Sequence, residues 1–245
     1  MCTLIIGFQQ HPSTPFWVAA NRDELRARPA LPPRWWAGEQ FLAPVDVQGG
    51  GSWLGLTRRG LFVGVTNRFP SERFPDRQSR GQLVIDALRA PSAEALRERL
   101  EGLSATRYNT FHLLYADAAN AFVTWSDGGA IHHERLERGT HVVTERSLGG
   151  DDHGRTALIE AALPSLARDE RGLPTPAALQ QLLGRAEPAD PARGVCVDLP
   201  EFGYGSRSSL VTFVGAELAA TTWWWAEGRP DQTPFVESKP FSGSP

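Results

Sequence analysis

Lysine is almost absent from this sequence of 245 residues: Lys239 is the only one, and the other basic charges are arginines scattered without a basic block. With a formal net charge of −3 and a pI near 6.1, the chain lacks the electrostatic footprint of a nucleic-acid binder. Cysteine is nearly as scarce. Two thiols, Cys2 and Cys196, exclude a disulfide framework and a cysteine-ligated zinc site. No apolar run approaches a bilayer span, so no membrane span is expected. The apolar N-terminus has no basic lead and soon meets Gln9, Gln10, His11 and Pro12, unlike a signal peptide; the expected compartment is the cytoplasm. Phosphate-loop and nucleophile-elbow motifs are missing too. Gly49-Gly50-Gly51 runs into Ser52 with no Gly-Lys-Ser/Thr behind it, and no Gly-x-Ser-x-Gly occurs.

What is present is globular: 41% hydrophobic and 22% charged residues, in a chain long enough to bury a core without staples. Apolar runs at 2–9 and 16–21 read as strands joined by a turn, and 52–57 with 60–67 as a second pair. The Pro/Gly/Trp-rich stretch 29–51 reads as a long site-forming loop. Ser79 and Ser92 are N-cap signals for two helices. Strand character returns at 108–116, 120–126, 130–136 and 140–145, and helical patterns follow at about 154–168 and 175–184. Residues 185–207 read as irregular, and 211–214 with 218–225 as a closing strand pair. This order of strands, helices, strands, helices, strands is not that of a doubly wound parallel sheet. It favours stacked antiparallel sheets with helices outside, an α+β class, in a single domain over 1–245 with a frayed tail from about 230.

No metal is expected. His132 and His133 are neighbours that a strand points to opposite faces, and Asp151-Asp152-His153-Gly154 has an ordinary cap-and-turn composition. Cys2 stands out instead: with 2 cysteines in 245 residues, one at this position by chance is about a one-in-a-hundred event. Its small side chain permits removal of Met1, which leaves Cys2 with a free α-amine of pKa about 7.7–8.0. That amine can take the proton of its own thiol, activating a nucleophile with no histidine. The plainer alternative is a small inert hydrophobe on a buried strand. Asn21-Arg22-Asp23-Glu24 ends the second strand, where Arg22 can steady a thiolate and Asp23 can bind the α-amine; otherwise it is a turn with a surface ion pair.

These residues carry a resemblance. The opening Met-Cys-Thr-Leu-Ile-Ile and Asn21-Arg22-Asp23-Glu24 resemble the NRDE-domain family, which includes the transport and Golgi organisation proteins. Gly50-Gly51-Ser52-Trp53-Leu54-Gly55, Thr66-Asn67, Ser79-Arg80-Gly81, Tyr108-Asn109 and Tyr204-Gly205-Ser206-Arg207-Ser208-Ser209 follow in the expected order. That family is similar to the N-terminal nucleophile hydrolases, in particular the bile-salt hydrolase and penicillin acylase branch. The resemblance implies a four-layer αββα sandwich and hydrolysis of a non-peptide C–N amide bond by the N-terminal cysteine. It implies catalytic roles for Cys2, Arg22, Asp23, Arg207 and the oxyanion donor Asn67, and puts Asn21, Glu24, Trp53, Glu145 and Tyr204 among substrate-binding residues.

Two departures from the branch's pattern stand out. Arg22 and Asp23 are adjacent where the branch spaces the pair three apart. Glu145 stands where a second oxyanion asparagine is expected; an ionised carboxylate donates no hydrogen bond, and losing one such donor typically costs about 10²–10³ in rate. A non-catalytic reading on the same fold therefore stays beside the amidase: haem, acyl-coenzyme A or lipid handling, with some of the eight tryptophans, including Trp35, Trp36, Trp223, Trp224 and Trp225, lining an apolar groove. The amidase needs no cofactor; the alternative takes haem. The expected partner is a small amide or acyl ligand, and a dimer through a Trp-bearing strand stays open.

Overall fold

The computed structural model describes residues 2–69, 74–149 and 154–242. Met1 and the Asp151-Asp152-His153 segment lie outside the described residues. In chain order the elements are β1 Cys2–His11, β2 Thr14–Leu25, β3 Ala30–Trp35, β4 Phe41–Asp46, β5 Leu54–Thr57 and β6 Phe62–Asn67, then α1 Arg80–Leu88 and α2 Ala93–Glu101. There follow β7 Phe111–Ala116, β8 Ala121–Ser126, β9 Ile131–Arg135, β10 Gly139–Val143, α3 Arg155–Ala162, α4 Pro176–Leu183, β11 Asp198–Leu199, β12 Tyr204–Val214, β13 Thr222–Ala226 and β14 Val236–Ser238. The chain separates into two compact units, Met1–Ala27 with Arg138–Pro245, and Arg28–Glu137. Each carries its own antiparallel seven-stranded sheet and two helices, the α+β class read from the sequence.

In the first unit the strand order is β10-β1-β2-β12-β13-β14, with β11 paired to β12. Cys2 to Phe8 of β1 and Thr14 to Asp23 of β2 are buried almost without alternation, as in strands covered on both faces. One face of this sheet packs on α3 and α4: Ile5, Trp17, Ala19, Val211 and Phe213 meet Ile159, Ala162, Leu179, Leu182 and Leu183. Gly7 lies opposite Trp17 across β1 and β2, and a Cβ at Gly7 would stand 2.1 Å from the indole ring. Glycine there lets the indole lie flat over the neighbouring strand, with its Nε1 donating to Gln10 Oε1 at 3.0 Å. Trp223 and Trp225 are buried on one face of β13 and Trp224 packs against the helix-side core from the other, which is strand alternation at work.

The second unit is a meander, β3 through β9 in sequence order, with α1 against β5 and β6 and α2 against β8. Ser79 and Ser92 cap α1 and α2 as their position before apolar periodicity predicts, accepting from Gly81 N and Ala95 N.

Three stretches differ from the sequence expectation. Residues 29–51 are not one long loop but hold β3 and β4; Pro32 and Pro33 fit because β3 is an edge strand whose register shifts between Leu31 and Arg34. Trp35 and Trp36 are tied down there, Trp35 under the Arg58 guanidinium at 3.9 Å and Trp36 donating to the Ala43 carbonyl at 3.1 Å. The last long strand begins at Tyr204, not 211, because the Gly-Ser-Arg-Ser-Ser segment pairs with β2 despite its polarity. Within the stretch from about 230, Val236–Ser238 pair with Trp223, Trp224 and Trp225 as β14. No helix is long and apolar enough to cross a membrane among the described residues.

Candidate functional site

Three neighbouring strands of the first unit bring three sequence motifs side by side. Cys2 of β1 is the cross-strand partner of Arg22 in β2, and Arg22 is in turn the partner of Ser208 in β12. Thr3, Asn21 and Ser209 form the next rung. The four residues Asn21 to Glu24 continue the strand and make no turn. Because Cys2 pairs with Arg22, Asp23 sits one step further along β2. Adjacent Arg22 and Asp23 thus point to opposite faces of β2, one beside the thiol and one toward the helices.

The buried carboxylates here have specific ties. Asp23 Oδ1 accepts from Ser206 Oγ at 2.7 Å, and the Asp23 carbonyl accepts from Tyr204 Oη at 2.8 Å. Asp23 Oδ2 takes an ion pair from Arg155 Nη1 at 3.3 Å. The same nitrogen reaches Glu145 Oε2 at 3.2 Å and Thr3 Oγ1 at 3.4 Å, while Arg155 Nη2 donates to the Ala192 carbonyl at 2.7 Å. Arg22, buried beside Cys2, pairs with Glu24 at 3.8 Å. Charges shut away from water persist only when paired in this way.

Burial pushes the Cys2 thiol above its ordinary range, and the Asp23 carboxylate adds to the rise; Arg22 and a hydrogen bond from the Asp23 backbone act the other way. Burial likewise raises Tyr204, with the charges of Asp23, Cys2, Glu24 and Glu145 adding to it, so its hydroxyl stays a donor.

The other expected residues divide. Asn21, expected to bind substrate, is fully buried and used within the fold: Nδ2 donates to the carbonyls of Leu183 at 2.9 Å and Val195 at 2.8 Å, and Oδ1 accepts from Ser209 Oγ at 2.6 Å. Glu145, also expected among the substrate-binding residues, is the buried partner of Arg155. Arg207 is the extra residue of a bulge between Ser206 and Ser208 and points to Glu227, 3.5 Å away, whose other oxygen accepts from Trp225 Nε1. Asn67 and Trp53 belong to the second unit, Asn67 at the exposed end of β6 and Trp53 buried just before β5. His132 and His133 go to different partners, Asp127 at 2.7 Å and Thr124 at 2.9 Å. Among the described residues no three His, Cys, Asp or Glu side chains gather to hold a metal.

Sequence reasoning missed Arg155. The signal was there: it shares the face of Ile159 and Ala162, at i, i+4 and i+7 of one helix, so a charge was bound to enter the core.

Known proteins resemble the chain in fold and in sequence. The solved N-acylethanolamine-hydrolyzing acid amidase ortholog of Caenorhabditis elegans superposes with a TM-score of 0.57 at 13% identity, over 86% of this chain and 92% of that one. A mutant conjugated bile acid hydrolase of Clostridium perfringens gives 0.55 at 11% identity, over 100% and 94%. Both are N-terminal nucleophile hydrolases, and at such identities the likeness is one of fold. Among curated relatives, the Transport and Golgi organization protein 2 homolog of Bos taurus is 26% identical over 89% of this chain and 90% of its own length, and that of Homo sapiens 27% over the same shares. The family model for Transport and Golgi organisation 2 matches residues 1–223. The chain belongs to the Transport and Golgi organisation 2 family.

Proposed function

We propose that the protein hydrolyses a non-peptide C–N amide bond with Cys2 as nucleophile once Met1 has been removed. The observation that carries this reading is the pairing of Cys2 with Arg22, with the buried Asp23 carboxylate one step further along β2. In the proposed reaction the free α-amine takes the thiol proton and the thiolate adds to the amide carbonyl. The tetrahedral intermediate then expels the amine, which leaves with the proton from the α-ammonium, and water cleaves the resulting thioester. Arg22 favours the thiolate against burial. The solved relatives named for amide-bond hydrolysis support the reaction class. In this reading Asn67 and backbone N–H groups serve the oxyanion, and Arg207 holds a substrate carboxylate.

Comparing wild type with Cys2→Ala on a panel of N-acyl amides tests it: hydrolysis that disappears in the variant while the fold is kept supports the reading, and hydrolysis that persists ends it.

A second reading, handling of haem, acyl-coenzyme A or lipid without turnover, is favoured by Glu145, and the curated relatives are named for transport and Golgi organization rather than for hydrolysis. Held by Arg155, its carboxylate supplies no oxyanion donor. Stoichiometric binding in a haem titration, with no amide in the panel turned over, would favour this reading.

A further inference from the structure

The polar cluster behind Cys2 has an arrangement that the reaction above does not explain. Two carboxylates, Asp23 and Glu145, meet one guanidinium nitrogen, Arg155 Nη1, at 3.3 and 3.2 Å, and none of the three side chains is more than 10% exposed. The same nitrogen holds Thr3, the residue after the nucleophile, and the other terminal nitrogen is anchored on the Ala192 carbonyl. Arg155 therefore ties the first strand, the second strand, the Glu145 segment and the Ala192 loop together within one turn of α3. Formally this triad carries one negative charge more than positive, whereas Arg22 and Glu24 balance each other nearby. Thr3, held by the same guanidinium, is the neighbour of Cys2, whose amine becomes a cation on loss of Met1.

We propose that Arg155 is a positioning residue for the Cys2 nucleophile: it clamps Asp23 and Glu145 in place, offsets one of their two charges, and leaves the other to hold the α-ammonium. The proposal rests on the amidase reading and adds a residue to it. Arg155 touches no reacting atom; it acts through Asp23, whose backbone meets the Cys2 sulfur, and through Thr3, the residue next to Cys2. In this account Glu145 belongs to the clamp and is not a degraded oxyanion donor. The titratable and charged groups that act on Cys2 are Arg22 and Asp23 of β2 and Tyr204 of β12; Glu145 and Arg155 reach it through Asp23 and Thr3.

The test follows the pH dependence of Cys2 alkylation by iodoacetamide, read at the Cys2 peptide by mass spectrometry, which needs no substrate. Glu145→Gln removes one charge and keeps an acceptor for Arg155, so the midpoint should fall. Arg155→Lys keeps the charge but not the two-nitrogen fork, so the midpoint should rise by about one pH unit, a tenfold slower reaction near neutrality. Arg155→Gln should exceed that, and adding Glu145→Gln to it should recover part of the shift. A purely structural Arg155 would lower the melting temperature while leaving the Cys2 midpoint where it is; that result, or an unchanged midpoint in Glu145→Gln, overturns the proposal. If wild type turns over no amide yet these midpoints move as stated, the amidase reading fails and the clamp stands.

Discussion

Asp23 and Arg155 are joined by a 3.3 Å ion pair that water barely touches, the two side chains being 0% and 3% exposed. Removing Asp23 breaks this buried network, leaving Arg155 to Glu145 alone and taking the acceptor from Ser206 Oγ. Asp23→Ala should therefore destabilise the fold by about 3–5 kcal/mol. Asp190→Ala, which breaks the exposed 3.0 Å pair with Arg193, should cost no more than about 1 kcal/mol. Urea unfolding of the two variants checks the contrast, and equal losses would contradict it.

Asn21 should behave as scaffold. Asn21→Ala deprives two buried carbonyls, those of Leu183 and Val195, of their donor and should cost about 1–3 kcal/mol for each. Asn21→Asp should be worse, because an oxygen then faces both carbonyls. Thermal melts read this directly. A variant with unchanged melting but weakened substrate binding would instead return Asn21 to the ligand.

Gly7 and Trp17 should be coupled. Gly7→Ala drives a methyl into the indole and should cost about 1–3 kcal/mol, and Trp17→Ala alone about 3–5 kcal/mol. In the Trp17→Ala background, Gly7→Ala should cost almost nothing, because its obstacle is gone. A double-mutant cycle measures the difference, and simple additivity would refute the contact.

Cys196 should be chemically silent. Burial, joined by the charge of Asp231 and a hydrogen bond to it, pushes its thiol up to about 12 from 9.0. A raised folded-state pKa means that the thiol's contribution to stability is complete below the ordinary thiol range and is lost as pH climbs toward 12. In a Cys2→Ala background, iodoacetamide at pH 9 should label Cys196 only after denaturation. Prompt labelling of the native protein would show that the thiol is not held in this way.

Much of the fold was legible because its signals are local. Ser79 and Ser92 stand directly before helical apolar periodicity, and the runs of β1 and β2 are apolar nearly throughout. The pairing of Arg22 with Cys2 follows from two short apolar runs joined by a turn. Less local features escaped. Pro32 and Pro33 hid β3, since an edge strand tolerates residues that a central one does not. The Gly-Ser-Arg-Ser-Ser segment looked irregular because its serines are buried by hydrogen bonds to Asn21 and Asp23, not by hydrophobicity. Glu145 looked like a defect for as long as its partner Arg155, ten residues on in the chain, was out of sight.

The central claim is that Cys2 acts through its own amine. The intact mass of the protein purified from its native host tests it most directly. The account predicts a mass short of the full sequence by one methionine residue, with Cys2 at the N-terminus. A full-length mass, with Met1 retained, would lock that amine in a peptide bond and contradict the self-activated nucleophile.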